Sequence, residues 1–224
     1  MKRWAWLVVG LYLLALALLA FPVLLVAWYP DGKVDKITEI YATGWLWGWI
    51  AVMLFGQALL LLVPVMFAEK RLKSRRPLLV PVITAALLLS LLAGVGGLAL
   101  YCGICGDKTP AWGAGLSVQI VMLDVNGLML ALWLAWGLVF WRFAQSAAAP
   151  DALVRRLMRW LLCGSILEFL VAVPCHIVTR SRGDCCAPLG SFIGIAFGIS
   201  VMLMTFGPGV FFLFVERWRR LHPP

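Results

Sequence analysis

Five of the six cysteines in this chain fall into three short motifs. Cys102 and Cys105 form a C-x-x-C within Tyr101-Cys102-Gly103-Ile104-Cys105-Gly106-Asp107. Cys175 precedes His176 in Pro174-Cys175-His176, and Cys185 and Cys186 are adjacent in Gly183-Asp184-Cys185-Cys186-Ala187-Pro188. Each motif borders a long apolar run. If those runs are membrane spans, all five cysteines lie at one depth on the outer face. Three chemistries fit such a cluster. Clustered cysteines outside the cytoplasm form disulfides, which here would staple the third apolar run to the fifth and sixth and leave one thiol over. Thiol–disulfide exchange is the second, with Cys102 and Cys105 as the catalytic pair and Arg180 and Arg182 nearby to favour the reactive thiolate. The third is a metal centre. A tetrahedral ion takes four sulfur or nitrogen ligands, available here from Cys102, Cys105, Cys175, His176, Cys185 and Cys186, and thiolates select zinc, copper(I) or an iron–sulfur centre. Cys163, nearer the inner side, reads as a buried small hydrophobe.

An outer-face C-x-x-C paired with a second pair of cysteines resembles the membrane thiol oxidoreductases of the disulfide-bond-B and vitamin K epoxide reductase type. The resemblance implies a quinone as redox partner. It covers that arrangement alone: those proteins are built around a four-helix bundle, this chain has six apolar runs, and no residue roles carry over.

Ionisable residues at membrane depth mark functional sites by default. Asp124 lies eight residues into the fourth apolar run, about 12 Å below its outer end at the helical rise. Glu168 lies seven residues before Cys175, about 10 Å beneath it on the same helix face. Consecutive antiparallel helices often pack together, so the two acids are expected to face each other inside the bundle, sharing a proton or holding a cation. Gln119, Asn126 and Gln57 are candidates to line the same polar pocket or to join helices by hydrogen bonds. Gly190, Gly194 and Gly198, spaced by four, form a small-residue ridge on the sixth run. Such a ridge admits a close backbone, either within the bundle or in a homo-oligomer.

The elements that must position these residues are helices in lipid. Of 224 residues, 63% are hydrophobic and only 13% charged, and the mean hydropathy is +0.98; soluble domains are nearer about half apolar. A helical span needs about 20 apolar residues. Six runs qualify, at roughly 5–28, 43–68, 78–101, 116–141, 157–178 and 190–215. The expected fold is therefore an all-α, polytopic transmembrane bundle forming a single domain over 1–224. The first run exceeds the roughly 7–15 residues of a signal-peptide core and reads as a signal anchor. With the N-terminus inside, 14 Lys and Arg fall on inner segments and 5 on outer loops, which predicts both termini in the cytoplasm.

The net charge of +9 thus follows from topology and does not indicate nucleic acid. Every lysine lies in a terminus or loop, which excludes a retinal Schiff base at mid-membrane. The two histidines lie on opposite sides and cannot ligate one haem together. There is no C-x-x-C-H, Walker A or H-E-x-x-H motif. The Arg-over-Lys, Leu/Ala-rich composition points to a bacterial inner membrane. Three function classes follow: an outer-face cysteine protein for thiol redox or metal handling, a proton- or cation-coupled transporter or channel using Asp124 and Glu168, and a structural or assembly subunit contacting membrane-complex partners. Whether the chain is an enzyme is left open by these residues.

Overall fold

The computed structural model describes residues 6–17, 44–70, 78–106, 115–146, 150–183 and 187–221. Among them are six helices and no strands: α1 (Trp6–Ala17), α2 (Gly44–Lys70), α3 (Leu79–Cys105), α4 (Gly115–Ser146), α5 (Pro150–Arg182) and α6 (Ala187–Leu221). Four of these, α3 to α6, contain stretches long and apolar enough to cross a membrane. The described apolar stretches of α1 and α2, Trp6–Ala17 and Trp47–Val63, are shorter. These helices suggest a multi-pass protein in a lipid bilayer. The outside of the bundle is as apolar as the inside: Val52, Phe55, Leu128, Leu134, Leu138, Leu167 and Leu170 are all exposed. A helix that is hydrophobic all round belongs in a core or a membrane.

Local chemistry sets the helix ends. Pro81 stands in the first turn of α3, where its missing N–H would have no helical partner anyway. The other end of α3 closes at Gly106, whose φ of 59° suits a residue without Cβ. Its N–H donates to the Cys102 carbonyl at 2.9 Å. Gly183, with φ 72°, ends α5 in the same way. Arg180 and Arg182 occupy the last turn of α5, where cations complement the helix dipole. Pro174 lies inside α5 and removes one backbone hydrogen bond from it.

Three helices, α3, α5 and α6, pack most extensively on one another. Glycines bring them close. A methyl group added at Gly164 of α5 would fall on Leu89 of α3, and one at Gly103 of α3 would lie 2.9 Å from Cβ of Cys175. Parallel helices α3 and α5 run in register, Gly96 opposite Glu168 and Gly103 opposite Cys175, while α6 runs antiparallel to both. Around this trio, Tyr12 of α1 donates to the Ser200 carbonyl of α6 at 2.9 Å. Leu60 and Leu61 of α2 are fully buried.

Helix α4 lies against α3, with Trp133 Nε1 donating to the Ile83 carbonyl at 3.3 Å and Met129 seated on Gly94. It touches α5 sparsely. Trp136 meets Trp160 with ring centroids 5.4 Å apart, and the Arg156 guanidinium stands 3.6 Å over the Phe143 ring. The expected side-by-side packing of these consecutive helices is therefore replaced by α3 packing against α5. Gly96, Gly103 and Gly164 let the α3 and α5 backbones approach more closely than large side chains allow.

Candidate functional site

Glu168 is the buried acid at the centre of the trio. It stands mid-helix on α5, is 4% exposed, and both carboxyl oxygens are buried with no hydrogen-bond partner. Glycines of two neighbouring helices enclose it. A methyl group at Gly96 of α3 would lie 3.3 Å from Glu168 Cγ. One at Gly194 of α6 would lie 2.8 Å from Oε1, and one at Gly198 would fall on Oε2, 3.1 Å from Cδ. The absent side chains of Gly96, Gly194 and Gly198 thus make the space that the carboxyl fills. An ionised carboxylate enclosed here would lack its hydration and, among the described residues, any counter-charge, a penalty of several kcal/mol even after relaxation. The site thus holds an ionisable group under close cover from two neighbouring helices.

Of the cysteines expected to cluster, Cys175 lies two turns above Glu168 on α5. Cys175 seats on Gly103 of α3, its Sγ 2.8 Å from where a methyl would stand, and Cys102 seats on Gly190 of α6 at 2.7 Å by the same measure. His176 Nδ1 and Ser191 Oγ are 3.0 Å apart, joining α5 to α6. Arg182 donates to the Gly103 carbonyl at 2.8 Å, joining α5 to the end of α3. Cys102, Cys105 and Cys175 are half-buried at this junction. No disulfide joins any two of the described cysteines. Among the described residues no three of His, Cys, Asp and Glu converge to hold a metal ion. Cys185 and Cys186 lie outside the described residues.

The remaining sequence-derived positions divide. The side chains of Asp124 and Gln119 lie outside the described residues, so their facing toward Glu168 is not part of the geometry. The described glycines that enclose Glu168 lie on α3 and α6. Asn126 is exposed on α4 and lines no interior pocket. Cys163 is exposed on α5, correcting its expected burial: a small apolar side chain faces lipid at no cost. Gln57 is fully buried, and its amide nitrogen and oxygen have no hydrogen-bond partner. Its Nε2 is 3.0 Å from where a methyl on Gly207 of α6 would stand. The ridge Gly190, Gly194 and Gly198 is turned inward, onto Cys102 and Glu168.

Sequence reasoning missed Gly96 and Gly103. A signal existed: their separation of seven equals that of Glu168 and Cys175, as two parallel helices in register require. It also missed the His176–Ser191 and Arg182–Gly103 links, whose partners are far apart in sequence. No protein-family model, curated protein or solved structure matches this chain.

Proposed function

We propose that this chain is a six-span bacterial inner-membrane protein with both termini in the cytoplasm, and that it couples binding of a proton or small cation at Glu168 to movement of α3, α5 and α6, as a transporter or channel. The observation that carries this reading is the Glu168 carboxyl, buried between Gly96, Gly194 and Gly198 with neither oxygen partnered. An acid that served only to join helices would be hydrogen-bonded across them; this one is covered instead. Charge on Glu168 disfavours the closed arrangement and its neutralisation favours it, so binding an ion and closing the trio are linked. The reading needs Glu168 alone; Asp124 is a second candidate acid on α4. The test is ion flux in proteoliposomes. Glu168→Gln keeps size and hydrogen bonding but cannot titrate, and it should abolish the pH dependence of flux while the fold survives. An unchanged pH profile would remove Glu168 from the mechanism.

A second reading is favoured by the seating of Cys102 and Cys175 at one junction of α3, α5 and α6. Here Cys102 and Cys105 would act as a dithiol, giving two electrons and two protons to a quinone and becoming a disulfide as the quinone becomes a quinol. Quinone reduction by the purified protein, lost in Cys102→Ser and retained in Glu168→Gln, would select it over ion coupling. The metal-handling variant of this reading draws on the same cysteines with His176, Cys185 and Cys186. Loss of neither activity would leave the structural or assembly role, with membrane-complex partners or a second copy contacted through the spans.

A further inference from the structure

We infer that the ion exchanged at Glu168 is a proton and that alkali cations are excluded from the site, an inference that rests on the coupling reading above. The enclosure is the reason. Hard cations are held by several oxygens at once, about six to eight for a calcium ion or rings of backbone carbonyls for potassium. Among the described residues, no hydrogen-bonding group is paired with either oxygen of Glu168. The glycines facing it bring no side chain, and the carbonyls of α3 and α6 at this depth belong to continuous helices. Ser165, one turn below, donates its hydroxyl to the Leu162 carbonyl at 2.9 Å and makes no hydrogen bond to the Glu168 carboxyl. Ser200 has its hydroxyl on the Ala196 carbonyl at 2.5 Å.

Space argues the same way. A methyl at Gly194 would lie 2.8 Å from Oε1, and one at Gly198 would overlap Oε2. A dehydrated metal ion needs room that this arrangement lacks. A proton needs almost none, and it removes the charge that the cover cannot compensate. The step balances simply: the carboxylate and a hydronium ion give the carboxylic acid and water. One O–H bond breaks, one forms, and no electron moves. Neither α3 nor α6 presents a titratable or charged side chain to Glu168 among the described residues, and on α5 the nearest such groups toward the outer end are Cys175 and His176. The described surroundings thus offer the carboxyl no neutralising charge of their own. Water reaches the acid when α6 separates from α3 and α5.

The test is infrared difference spectroscopy on the full chain in lipid nanodiscs, titrated with pH in choline, sodium or potassium buffer. Glu168→Gln identifies the protonated-carboxyl band by its loss, and Glu168→Asp by its displacement. The expected result is a band that titrates with pH with the same midpoint in all three buffers. A competing cation would lower the midpoint by about one pH unit for each tenfold rise in its concentration. That outcome would overturn proton selectivity and leave ion coupling standing. A wild-type protein whose carboxyl band does not change with pH at all would overturn both. Glu168→Asp keeps a carboxyl in place, so it carries the assignment if Glu168→Gln fails to fold.

Discussion

At Gly198 a single methyl group has nowhere to go, whereas at Gly97, on α3, nothing lies within 4 Å. The two positions make a matched pair. Alanine is the better helix former by about 1 kcal/mol, so Gly97→Ala should hold or raise thermal stability. Gly198→Ala should lower it by about 1–3 kcal/mol through overpacking, read as a loss of roughly 2–4 °C per kcal/mol in a thermal melt of the solubilised protein. Combining Gly198→Ala with Glu168→Ala should restore most of the loss, because the two side chains compete for one space. Additive losses would mean that the methyl clashes elsewhere. Gln57 gives a second residue-scale expectation. Its amide is fully buried with neither end bonded, and a buried unsatisfied polar group costs about 1–3 kcal/mol. Gln57→Leu, of similar volume, should leave the melting temperature unchanged or raise it. A clear drop would show that the amide makes a stabilising bond in the bilayer.

Among the elements, the end of α3 depends on α5. Arg182 reaches the Gly103 carbonyl at 2.8 Å and the Ile104 carbonyl at 3.5 Å, satisfying groups that a helix C-terminus leaves open. Arg182→Ala should raise amide hydrogen exchange in the last turn of α3, around Cys102 to Gly106, and leave the middle of α3 protected. The overall loss should be within about 1 kcal/mol. Exchange unchanged at that turn would mean that Gly106 closes the helix unaided. The elements themselves were legible in the sequence. The apolar runs expected at 78–101, 157–178 and 190–215 lie within Leu79–Cys105, Pro150–Arg182 and Ala187–Leu221 to within a residue at their ends, since apolar length determines what can cross lipid. Their partners were not legible. In a soluble protein an apolar stripe shows which face turns inward. Here Leu167 faces out and Leu161 faces in with the same chemistry, because lipid and protein interior are alike to leucine. The same ambiguity led Cys163 to be read as buried. Glu168 was legible because a carboxyl is not indifferent to lipid. Its surroundings were not, because they are glycines, which carry no polarity signal and leave their mark only in spacing.

For the whole molecule, the proposed orientation can be tested directly. With the excess of Lys and Arg inside, a reporter active only in the periplasm should be active when fused after Thr109 or Arg182. It should be silent after Ser74 or at the C-terminus. Activity at Ser74 would invert the orientation and place the junction of Cys102, Cys175 and His176 on the cytoplasmic side.

The position of the glycines in the chain also has a consequence for biosynthesis. Glu168 is made before the residues that cover it: Gly96 has already left the ribosome, but Gly194 and Gly198 are still to come. At about 5–20 residues per second, the roughly thirty residues from Glu168 to Gly198 take a few seconds to synthesise. For that interval α5 carries an acid whose cover is incomplete. The nascent helix must wait beside water or insertion machinery, and it settles fully only when α6 arrives. Helix α6, made after α3 and α5, therefore completes the cover of Glu168.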